Sequence, residues 1–158
     1  MHLEAIPEDE YSAFIKSKFT AASITIEGEA ISEILKLTRT HTYYVQFLCN
    51  KLYGSGIKMI STEAVKQIYS EILTENEVYY SEYRDLLTKP QWNLLIALAK
   101  EDGISRVTTS AFLKKHDLST AATIRRGIKS LLEKKMIYKK DMKYYVYDVF
   151  FSKWLQRL

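Results

Sequence analysis

One cysteine, two prolines and five glycines are all that 158 residues contain of the types that most constrain a backbone. The lone Cys49 excludes an internal disulfide and fits a reducing, cytoplasmic compartment. Scarce proline and glycine argue against a turn-rich all-β fold and for helices. No apolar run approaches the roughly 18 residues that a spanning helix needs, so no membrane partner is expected. The opening MHLEAIPEDEY is acidic and lacks the basic and apolar blocks of a signal peptide.

Catalytic groups are scarce too. His2, His41 and His116 are scattered without metal-ligand spacing, so no metal site is expected. Cys49 falls on the apolar stripe of a helix and reads as an inert core thiol. The stretch GSGIK, Gly54 to Lys58, lacks the ending of a phosphate loop and follows a helix, so it reads as a helix-ending turn. No acidic pair stands near an obvious base. The chain is not expected to be an enzyme by itself.

What is present is apolar and aromatic. A hydrophobic share of 47%, with 12 Tyr and 6 Phe, supports a packed core rather than disorder. The net charge of +4 conceals an asymmetry: residues 1–86 hold 8 Lys and Arg against 13 Asp and Glu, and residues 87–158 hold 15 against 6. A change from −5 to +9 points to two modules, of which only the second suits a phosphate backbone.

The first module, 1–86, reads as a helical bundle. Pro7 and the acidic Glu8, Asp9 and Glu10 suit a helix start. Tyr11, Phe14, Ile15 and Phe19 then hold one helical face. Helices are expected over 29–37, with Ile31, Ile34, Leu35 and Leu37 inward, and over 42–53, with Val45, Leu48, Cys49 and Leu52 inward. Ser61 or Thr62 caps a long connecting helix to Leu86, broken near Asn76, in which Val65, Ile68, Tyr69, Ile72, Leu73, Val78, Tyr79, Tyr80 and Tyr83 keep the apolar period.

The second module, 87–158, has Thr88 and Pro90 at the start of a helix that buries Trp92, Leu94, Leu95, Ala97 and Leu98. A short helix over 109–115 and a third over 121–135 follow. Two strands, MIYKK and KYYVYD, turn around Asp141 and Met142, and VFFSKWLQRL closes the chain. Helix, helix, helix, hairpin, helix is winged-helix order. The fold class expected is therefore mostly α: a helical lid-like bundle followed by a winged helix.

In the third helix, Ile124, Ile128, Leu131 and Leu132 should face the core. Thr123, Arg125, Arg126, Lys129 and Ser130 remain for other faces, and Lys139, Lys140 and Lys143 crowd the hairpin tip. Such a helix can enter the major groove of double-stranded DNA, with arginine reading guanine and lysine meeting phosphate. A protein-docking surface and a merely solvated basic face stay open at this point, as does a free-standing dimeric regulator.

ISEILKLTRTHTYYVQFLCNKL, Ile31 to Leu52, resembles the lid segment of archaeal-type AAA+/STAND ATPases, whose lid reads Gly-His-Pro-Tyr-Tyr-x-Gln between two helices. PEDEYSAFIKSKF, LLTKPQWNLLIALAKEDG and YYVYDVFFSKWLQRL look like the same group. Here Thr40 stands for the usual Gly and Thr42 for the usual Pro. The resemblance implies a C-terminal, non-catalytic region of such an ATPase, with His41, Thr42 and Tyr43 facing nucleotide. It also implies ATP and magnesium in a missing nucleotide-binding core, and no cofactor in this chain. That core, or a partner protein on which the winged helix docks, would be the further partner.

Overall fold

Pro7 stands just before the first helix of the computed structural model, which describes residues 6–158. His2 lies outside the described residues. Helix α1, Glu8–Ala21, sets three carboxylates in its first turn against the positive end of its dipole. Its buried stripe is Tyr11, Ile15 and Phe19, each four residues from the last. Phe14, expected on that face, is 53% exposed, because steps of four make a stripe too narrow to include it.

Strand β1, Thr25–Ile26, pairs in parallel with β2, Met59–Ile60. Between them run α2, Gly28–Leu37, and α3, Thr42–Gly54, and α4, Thr62–Glu75, follows β2. Ile34, Leu35, Leu48, Leu52 and Ile60 are almost wholly buried and form this unit's core. Leu37 and Cys49, expected inward, are only half-buried. Burial nonetheless pushes the Cys49 thiol up to about 12, so the reactive thiolate is disfavoured.

Helix α2 ends in a left-handed turn without glycine. Thr40 N–H donates to Leu35 O at 2.8 Å and Arg39 N–H to Lys36 O at 3.3 Å, with Arg39 at φ 50° and Thr40 at φ 56°. The same paired closure ends α1 at Ser23, φ 59°.

The expected helix from Thr62 to Leu86 is three pieces. Helix α4 stops at Glu75, α5 covers Glu77–Glu82, and a 3₁₀ turn spans Tyr83–Leu86. Asn76, at φ −95° and ψ 3°, is the break. Val78 and Tyr79, placed on the apolar face, are 75% and 54% exposed. The chain divides into one unit ending at Thr74 and a second spanning Glu75–Leu158, well before the change of charge sign. Aromatic packing accounts for that position: Tyr80 lies 5.3 Å from Phe151 and 5.7 Å from Trp154, and Tyr83 lies 5.0 Å from Phe151.

The second unit is built on α6, Lys89–Glu101. Thr88 and Gln91 close a capping box: Gln91 N–H donates to Thr88 Oγ1 at 3.4 Å, and Thr88 N–H donates to Gln91 Oε1 at 3.0 Å. Trp92, Leu94, Leu95, Ala97, Leu98 and Ala99 are all buried, so α6 is covered on most sides. It packs against α8, Ala121–Glu133, and α9, Val149–Leu155. Gly127 permits the first approach, since a Cβ there would lie 2.9 Å from Leu94 Cδ2.

Helix α7, Ser110–Lys115, is capped by Thr109 and ends at Asp117, φ 50°. Strands β3, Ile137–Lys140, and β4, Lys143–Val146, form an antiparallel hairpin. Ile104 adds a single-residue bridge to Tyr144, accepting its N–H at 2.9 Å. The expected class, mostly α with a small C-terminal hairpin in winged-helix order, is the class found.

Candidate nucleic-acid interface

Helix α8 begins where Thr120 accepts the Thr123 N–H at 3.3 Å and ends in a left-handed closure at Lys135, φ 55°. Ile124, Gly127, Ile128 and Leu131 are buried, which turns Arg125, Arg126 and Lys129 to solvent. Leu132, expected in the core, is 38% exposed: Leu131 takes the inward position and its neighbour is rotated about 100° away.

Two polar residues grouped with the cations also bond to neighbours within the unit. Ser130 is half-buried, and its Oγ accepts from Gln91 Nε2 at 2.9 Å, so it braces α8 against α6. Thr123 is half-buried at the cap, with its Oγ1 3.1 Å from Thr120 Oγ1. Both contacts were beyond sequence reading for one reason: helical spacing identifies a face but not the local partners along its edge.

The hairpin tip carries the other cations. Lys140 is directly opposite Lys143, and Lys139 is opposite Tyr144 with its ammonium 5.3 Å from that ring's centroid. Like charges facing across two strands destabilise the pair by about 0.2–1 kcal/mol, and an anion between them would remove that cost. None of Arg125, Arg126, Lys129, Lys140 and Lys143 forms an ion pair among the described residues.

Between α8 and β4 runs a groove of about 340 Å³ lined by Val107, Arg125, Ile128, Lys129, Leu132, Glu133 and Tyr144. It brings Arg125 and Lys129 of α8 beside Tyr144 of the hairpin, while Arg126 is not among its lining. The arrangement offers positive charge from Arg125 and Lys129, with Glu133 beside them, around a narrow apolar floor.

The other candidate residues sit in the first unit. His41 is the residue before α3 and meets Tyr44 edge-on at 5.2 Å, and Tyr43 meets Tyr44 at 5.1 Å. His41, Thr42 and Tyr43 are all exposed, Tyr43 at 62%. They therefore share one exposed helix start.

Sequence reading missed the polar link between α6 and α7. Glu101 Oε1 accepts from Lys115 Nζ and from His116 Nε2, each at 2.6 Å. These two hydrogen bonds hold the Glu101 carboxyl below its ordinary range, the Lys115 contact first. A folded-state value below the unfolded one adds stability at neutral pH. That addition is complete above the unfolded glutamate pKa of about 4.3 and disappears as pH falls through the lowered value. Glu101→Gln should therefore lower the melting temperature at pH 7, and the gap to wild type should narrow progressively in melts taken at pH values below the unfolded glutamate pKa of about 4.3.

A family model described as a probable winged helix domain matches residues 78–157, just over half of the chain. No curated protein matches the chain.

Proposed function

We propose that this chain, which belongs to the probable winged helix domain family, binds double-stranded DNA through α8 and the β3–β4 hairpin. The observation that carries the reading is the separation of α8 into a buried apolar face and an exposed face of Arg125, Arg126 and Lys129 without acidic partners among the described residues. In this reading α8 enters the major groove, where arginine can meet guanine and lysine a phosphate. Lys139, Lys140 and Lys143 meet the flanking backbone. Thr123 and Ser130 serve by holding the helix start and its angle rather than by touching bases.

Titration of a labelled duplex tests it. Affinity should be micromolar or tighter at about 50 mM salt and fall steeply by about 200 mM, because each phosphate contact releases counterions. Salt-insensitive or absent binding overturns the reading and leaves this face to a protein partner.

A second reading concerns the first unit as the lid of an AAA+/STAND ATPase, with His41, Thr42 and Tyr43 toward nucleotide in a separate core that supplies ATP and magnesium. Thr40 favours it: φ 56° there is the conformation that the glycine of the resembled motif adopts freely. An L-residue pays about 1–2 kcal/mol in that region, so Thr40→Gly should raise the urea midpoint by an amount worth about 1 kcal/mol. The functional half of the reading is tested by joining the chain to such a core and comparing DNA affinity with ATP and with ADP. Equal affinities would exclude coupling.

A further inference from the structure

The hairpin turn is built from two left-handed residues, Asp141 at φ 48° and Met142 at φ 63°. A two-residue turn of this kind ordinarily takes Asn-Gly or Asp-Gly, since asparagine, aspartate and glycine reach that conformation most readily. Asp141 fits the first place. Met142 occupies the place of the glycine, and its side chain is 69% exposed at the outermost point of the ribbon. An unbranched apolar side chain is thus held in solvent, at a backbone conformation that disfavours it, in the turn joining β3 to β4.

Its surroundings narrow the choice of ligand. Lys143 follows it directly, Lys140 faces Lys143 across the strands, and Lys139 lies one residue further back. The groove beside α8 is lined by Tyr144 together with Arg125 and Lys129, and Lys139 lies over the Tyr144 ring, so two of the helix cations and the ribbon border one groove. A polyanion that the helix engages would meet lysines and a methionine at the ribbon tip together.

We propose that Met142 is an apolar wedge that the lysine-flanked ribbon sets against the base steps of the DNA minor groove, opening them and bending the duplex; this rests on the DNA reading above. Methionine is among the side chains able to part stacked bases, and the accompanying lysines supply the backbone contacts that hold it there. The wedge selects deformable steps rather than particular base edges, so it adds a preference for pyrimidine–purine steps at the site's flank.

The test uses the full chain and a duplex of about 20 base pairs labelled at both ends, so that anisotropy reports affinity and energy transfer reports bending. Met142→Gly suits the turn, so its melting temperature should match or exceed that of wild type. Its duplex affinity should nevertheless fall about tenfold, the change expected when one methionine side chain is no longer buried against the DNA. The bend should relax while the salt dependence stays unchanged, because no charge has been altered. Met142→Leu should restore both affinity and bend. Wild-type affinity and bend in Met142→Gly would overturn the wedge while leaving the DNA reading intact. No duplex binding by the wild-type chain would overturn both. Binding to anionic phosphatidylserine vesicles that drops on Met142→Gly, with duplex affinity unmoved, would overturn the wedge and assign the tip to lipid.

Discussion

Replacing Arg125 and Arg126 together with glutamate is expected to weaken duplex binding by about 100-fold or more, given roughly 1–3 kcal/mol for each pairing of an arginine with the DNA. Both side chains are exposed on α8 and neither has an ion-pair partner among the described residues. The fold should survive. A carboxylate at 125 would stand four residues before Lys129, the favourable order for a helical ion pair worth about 0.2–0.5 kcal/mol. Circular dichroism and the melting temperature should therefore hardly move, while the slope of affinity against salt becomes shallower. Unchanged affinity in this variant would remove α8 as the reading element whatever else the chain binds.

Gly103→Ala is expected to destabilise the second unit by about 2–4 kcal/mol, through backbone strain and overpacking at one position. Gly103 sits at φ 116°, directly after Asp102, which ends α6 in the left-handed region. A Cβ there would lie 2.5 Å from Tyr145 Cε1 and 2.8 Å from its hydroxyl. The two contributions can be separated. Tyr145→Ala removes the ring, so adding Gly103→Ala to it should cost only the backbone share. Urea denaturation of the four combinations measures the difference, and an equal cost in both backgrounds would show that the ring plays no part.

The elements that sequence reading placed well are those with strong periodicity. Every residue expected inside α6 is buried, and Ile124, Ile128 and Leu131 turn α8 as anticipated. The hairpin was legible from alternation on both sides of Asp141 and Met142, although its turn lacks the usual glycine. What escaped has local causes. Two-residue strands such as β1 and β2 are too short to alternate, and Ile104 joins β4 by a single bridge. Helix stops were obscure because Ser23, Arg39, Asp117 and Lys135 take the left-handed position that glycine usually marks. At the site, the cations were readable from helical phase, whereas the engagement of Ser130 required knowing that Gln91 reaches it.

That glutamine has a consequence for how binding preference can change. Through one side chain it closes the start of α6 and holds Ser130 in the last turn of α8, so a residue that is not among the α8 cations helps to set how that helix lies against α6. Exchanging it for a side chain too short to span that distance would re-aim three cations at once while leaving each of them in place. On the proposed DNA reading, selectivity could then drift in a lineage whose exposed α8 residues never vary.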